Sequence, residues 1–108
     1  MFDSAQYSSR ELLKELEECV SHGARGKERC ALVRSVLVRR DDVSREDIVR
    51  HVRFGAKTLL RKLEKFVSWG NVDQVEELEA SLACLPEVPA GDVARAKMRG
   101  IEIRDALN

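Results

Sequence analysis

Nine apolar residues between Ser44 and Trp69 keep helical phase without a slip: Ile48, Val49, Val52, Ala56, Leu59, Leu60, Leu63, Phe66 and Val67. At about 100° per residue they fall within roughly a third of a helix circumference. Two structures compete for this segment. One helix of about seven turns would lay a long apolar stripe against a core or a partner. Two short helices broken at Arg53, Phe54 and Gly55 would instead make a helix-turn-helix able to enter a DNA groove. A turn normally shifts the phase of such a stripe, and here it crosses Gly55 unchanged, so the spacing predicts a continuous helix. A mid-helix glycine costs about 1 kcal/mol relative to alanine, which an apolar stripe of this length can offset. Ser44 and Asp47 mark its start as a capping box, in which each side chain satisfies the other residue's backbone N–H.

The remaining chain reads as helices too. Ser8 and Glu11 form a second capping box, followed by Leu12, Leu13, Leu16, Cys19 and Val20 at helical spacing up to Gly23, with an acidic outer face of Glu11, Glu15, Glu17 and Glu18. A second helix spans roughly residues 27–39 and carries Cys30, Ala31, Leu32, Val33, Val36, Leu37 and Val38, apolar nearly all round. Such a helix must be covered on several sides. Its valines would suit a strand, but no second strand is present to pair with it. After Gly70, Asn71 and Gln74 form a third capping box, with Val72, Val75, Leu78, Leu82 and Leu85 as a stripe that Pro86 stops. Pro89 opens a last helix, on which Val93, Ala96, Gly100, Ile103 and Leu107 keep one face small and apolar, suited to a close helix contact. The expected fold is all-α: about five helices in a small bundle, one domain over residues 1–108, forming a dimer.

Composition agrees with that class. The 108 residues are 44% apolar and 35% charged with no net charge, too apolar for a disordered chain. The charge is segregated: residues 25–40 carry 6 Lys and Arg against 1 acid, and residues 71–91 carry none against 5. Such segregation pairs helices within a fold or gives a two-signed surface for a partner. Residues 1–6 contain no basic segment leading into an apolar run, and no apolar stretch is long enough to cross a bilayer. With three cysteines and no close pair, a disulfide framework is not expected, and a reducing cytoplasm is the expected compartment.

On a continuous helix, Phe54 points away from the stripe, among Arg50, Lys57, Arg61 and Lys65, with Trp69 near the same side at the helix end. An aromatic flanked by arginine on a polar face has the composition of a recognition hot spot. The other reading places the second or fifth helix over Phe54 as a further core layer. Lys57-Thr58-Leu59-Leu60-Arg61-Lys62-Leu63-Glu64-Lys65-Phe66 resembles the recognition helix of the Fis-type helix-turn-helix family. That resemblance implies phosphate contacts from Lys57, Arg61, Lys62 and Lys65, with Thr58 near a base edge. The chain departs from the pattern at Arg53, where the family has glycine, and in Gly55, which comes two residues late.

No reaction chemistry is legible. Cys19 and His22 could supply half of a metal site only if Cys30 with Cys84 or His51 joined them; the simpler reading is buried thiols acting as small apolar residues. Glu76, Glu77 and Glu79 read as a solvated or salt-bridged face. There is no phosphate-binding glycine loop, and no enzyme activity, cofactor or metal is expected. The surplus apolar surface points to a protein-binding regulator, with Phe54, Arg50, Arg61, Lys65 and Trp69 as partner contacts. Val33, Val36, Leu37, Leu59 and Leu63 are the expected homodimer interface. In size and helical make-up the chain resembles the small bacterial anti-activators of LuxR-type quorum-sensing regulators. That resemblance implies that it blocks a transcription factor. DNA binding and a chaperone-like secretion adaptor remain the alternatives.

Overall fold

The computed structural model describes residues 6–108; residues 1–5, on which the reading of the amino terminus rests, lie outside them. The described chain is all-α. Its helices are α1 (Ser9–Ser21), α2 (Lys27–Leu37), α3 (Arg45–Trp69), α4 (Val72–Ala83) and α5 (Ala90–Leu107), and a 3-10 turn at Gly23–Gly26 leads into α2. The apolar stripe was a sound guide: α3 runs 25 residues without a break through Arg53, Phe54 and Gly55. The helix-turn-helix geometry is absent from this segment.

Two reciprocal caps start α1 and α3 as the sequence indicates, Ser8 with Glu11 and Ser44 with Asp47. The third differs. Gly70 ends α3 in the left-handed region (φ 70°), and Asn71 N donates to Phe66 O at 3.0 Å while Gly70 N donates to Val67 O at 3.1 Å. This is the Schellman arrangement that closes a helix carboxyl end. It uses the Asn71 N–H that a reciprocal Gln74 would need, so Asn71 caps α4 in one direction only, accepting from Gln74 N at 3.3 Å.

The central element is α3, and glycines set how closely its neighbours approach. A Cβ on Gly55 would lie 2.5 Å from Glu17 O and 3.0 Å from Val20 Cβ; α1 crosses here, backbone nearly on backbone. A Cβ on Gly100 would lie 2.6 Å from Val67 Cβ and 2.7 Å from Glu64 O, so α5 meets α3 in the same way. The residue that looked like a possible break is a helix-crossing point. From Asp92 beside Arg53, through Gly100 beside Glu64, to Arg104 beside Gly70, α5 runs parallel to α3.

Leu12, Leu16, Cys19 and Val20 of α1, Val52, Ala56, Leu59 and Leu63 of α3, and Leu78 and Leu82 of α4 form the buried core with Cys30, Val33 and Leu37. The molecule measures 53 × 26 × 17 Å. Its thinnest direction holds about two helix layers at the usual 8–10 Å spacing, so an inner helix keeps one uncovered face. Two expectations change for that reason. Only one side of α2 is covered, leaving Ala31, Leu32 and Val38 exposed. On α5, Ala96 and Gly100 are buried, but Ile103 and Leu107 are exposed; Leu107 lies past the end of α3, which stops at Trp69, level with Arg104.

Candidate protein-docking face

The face of α3 opposite Ala56 is the uncovered one. It carries Arg50, Phe54, Lys57, Arg61 and Lys65, a set spaced at three and four residues and therefore aligned along the helix. Phe54 is 58% exposed. Neither α2 nor α5 packs over it, so the second core layer is not formed. Lys57 Nζ sits 5.4 Å from the Phe54 ring centroid, within cation–π reach. Arg45, Glu46, Val49, Arg50, Arg53, Phe54 and Lys57 line a shallow concavity of about 550 Å³ beside the ring.

Electrostatics along this face are strongly one-signed. Arg50 donates to Asp47 Oδ1 at 2.9 Å, one turn back, and Arg53 reaches Asp92 Oδ2 at 3.5 Å. The Ser44 N–H and hydroxyl hold the Asp47 carboxyl below its ordinary value, with smaller help from Arg50. Arg61, Lys62 and Lys65 make no ion pair among the described residues. At the carboxyl end Trp69 is 68% exposed and meets Phe66 edge-on, ring centroids 5.5 Å apart. All five expected partner contacts, Arg50, Phe54, Arg61, Lys65 and Trp69, are therefore on the surface.

The expected dimer interface is placed differently. Val33, Leu37, Leu59 and Leu63 are buried within one chain and Val36 is half-buried against the same core. Their apolar surface is already used by α1, α3 and α4, so no second copy can reach those four without opening the fold. The error has a plain cause: a stripe demands burial, and periodicity does not say whether the cover comes from the same chain.

Cys19 and Cys30 do come together, both buried. Burial, with the neighbouring Glu15 carboxylate, pushes the Cys19 thiol up to about 12, and burial also raises Cys30. His22 and Cys84 are exposed, and among the described residues no three His, Cys, Asp or Glu side chains converge as a metal site would need. His51 instead pairs with Glu17 on α1, beside the Gly55 crossing. Glu79 is salt-bridged to Lys97 at 2.9 Å, as an acidic structural face would be. One feature escaped the sequence reading altogether: Arg34 and Glu87, 53 residues apart, form a two-pronged ion pair at 2.5 and 2.6 Å.

Comparison with known protein families, curated proteins and solved structures gives no match. No described helix is long and apolar enough to cross a membrane.

Proposed function

We propose that this chain is a non-enzymatic regulator that binds another protein through the outer face of α3 and thereby blocks it. The partner we favour is a transcription regulator, after the LuxR-type anti-activators that the chain resembles in size and make-up. The observation that supports this is the half-exposed Phe54 ring, carried on a rigid 25-residue helix and surrounded by Arg50, Lys57 and Arg61. Exposing such a ring costs solvation free energy that a partner pocket would recover, about 2 kcal/mol or more for an aromatic anchor. The cations select the partner: an acidic surface with an apolar hollow, approached faster at low salt.

The same cations would suit phosphate, so the test must separate protein from DNA. Tagged wild type, Phe54→Ala and Lys57→Ala/Arg61→Ala are used to capture partners from the source cells, and each is also titrated with duplex DNA. A captured transcription regulator, inhibited by wild type in a reporter assay and released by Phe54→Ala, supports the proposal. A DNA mobility shift that weakens steeply with salt and vanishes in the double variant would overturn it.

A further inference from the structure

The exposed face of α3 continues onto α5. Asp92 of α5 holds Arg53 of α3 at 3.5 Å and also pairs with Arg95 on its own helix, so the seam between the two parallel helices begins beside Phe54. Arg95, Arg99 and Ile103 follow Asp92 by 3, 7 and 11 residues, spacings that keep them on the same side of α5. Arg95 and Arg99 are exposed, and Ile103 is 40% exposed. Across the seam, Arg53, Lys57, Arg61 and Lys65 stand at every fourth residue of α3, all exposed. Two rows of cations therefore border one seam, with Phe54 near its start and Ile103 near its end.

Like charges four residues apart repel and weaken a free helix, and little inside the chain relieves them. Glu64, the sole acid of α3 after Asp47, is half-buried beside Gly100 and makes no ion pair among the described residues. Asp92 already serves two arginines. With Glu102 of α5 counted as well, the two rows set six cations against three acids. Acids from outside are the groups that would balance this excess.

We infer that the α3–α5 seam receives an acidic amphipathic helix of the partner, its acids between the two rows of cations and an apolar residue at each end, on Phe54 and Ile103. This rests on the docking reading above and adds α5 to it. Two helices packed 8–10 Å apart leave a groove that a third helix can follow. Arg104, next to Ile103, is level with Gly70 at the end of α3, so Phe54 and Ile103 lie about four helical turns, or about 20 Å, apart. An extended segment would need a strand edge to join, and the described chain is all-α. Duplex DNA fits less well. A face two helices wide spans about 18–20 Å, against about 12 Å for the major groove. The acids of the seam oppose phosphate, and Phe54 and Ile103 gain nothing from it.

The probe is a synthetic glutamate-rich peptide of about five helical turns, with leucines along one helical face, titrated into the full chain and followed by amide NMR. A peptide of the same composition with its leucines scattered round the helix is the control, and duplex DNA is titrated in parallel. Saturable shifts are expected on α3 from Phe54 to Lys65 and on α5 from Arg95 to Ile103, with none from the control. Arg99→Glu, at an exposed site, should weaken the peptide roughly fivefold, the scale of a surface ion pair reversed; a melting curve checks that the variant folds. Shifts confined to α3, together with an Arg99→Glu protein that binds as wild type does, would overturn the inference and leave docking through Phe54 intact. Equal response to both peptides, no saturable shift, or tighter binding of DNA than of the peptide would overturn it too. Capture of a partner that is indifferent to Phe54→Ala sinks the docking reading itself, so the two failures are read separately.

Discussion

Replacing Gly55 by alanine tests the central helix crossing, because two accounts of this residue predict opposite signs. If Gly55 were only a tolerated helix-interior glycine, alanine would stabilise the protein by about 1 kcal/mol. The structure places the new methyl 2.5 Å from Glu17 O, 3.0 Å from Val20 Cβ and 3.1 Å from Glu17 Cα. Comfortable contacts lie at about 3.5–4.0 Å, so α1 must retreat by about 1 Å. Two of the three blocking atoms are backbone, which cannot rotate away, and displacing them also disturbs the Glu17–His51 pair beside the crossing. Overpacking of this kind costs about 1–3 kcal/mol, and the upper part of that range applies. After the propensity gain, the net expected loss is about 1–2 kcal/mol, or roughly 5–15 °C in Tm for a domain of this size. Urea unfolding followed by helical circular dichroism measures it, with the slope expected to be unchanged. Gly91→Ala is the internal control: its methyl would meet only the Arg95 guanidinium at 3.7 Å, and a gain of about 0.5 kcal/mol is expected. A Gly55→Ala protein as stable as wild type, or more so, would refute the close crossing.

Gly100→Ala should behave like Gly55→Ala, since Val67 Cβ and Glu64 O stand within 2.7 Å of the added methyl; because the crossings lie on different neighbours, the two losses should nearly add in the double variant. Phe54→Ala should leave urea stability within about 0.5 kcal/mol of wild type, as expected of an exposed site; a larger loss would mean that the ring belongs to the fold. Arg34 holds the Glu87 carboxyl below its ordinary value near 4.5. The pair is therefore fully stabilising above that pH, and its contribution disappears as pH falls through the depressed folded value. Glu87→Gln should lower stability at neutral pH and flatten the acid limb of the stability curve; an acid limb as steep as in wild type would count against the ion pair. With a thiol reagent at mildly alkaline pH, exposed Cys84 should react at once, while buried Cys19, its thiol pushed up to about 12, and Cys30 wait for opening of the fold. That delay should be about a thousandfold, and three equally fast thiols would contradict the packing.

Helix existence was legible because its causes are local. The Ser8 and Ser44 capping boxes, the unbroken phase of α3 and the stop before Pro86 all act within a few residues, and all five helices stand where these signals put them. The exposure of Arg50, Arg61, Lys65 and Trp69 was legible for the same reason, since a helix that buries one face must show the other; whether α2 or α5 would cover Phe54 was not, and only the packing left that ring exposed. Tertiary structure alone decided what covers each stripe. Val33, Leu37, Leu59 and Leu63 could satisfy their apolar surface within the chain or against a second copy, and periodicity is the same in both cases. It also decided the meaning of the glycines. Gly55 has one local cost whether it marks a break, a tolerated weakness or a crossing; only the position of Glu17, 38 residues earlier, makes it a crossing. The Arg34–Glu87 clamp has no local signature, because its residues meet only when α2 and the segment after α4 are brought together.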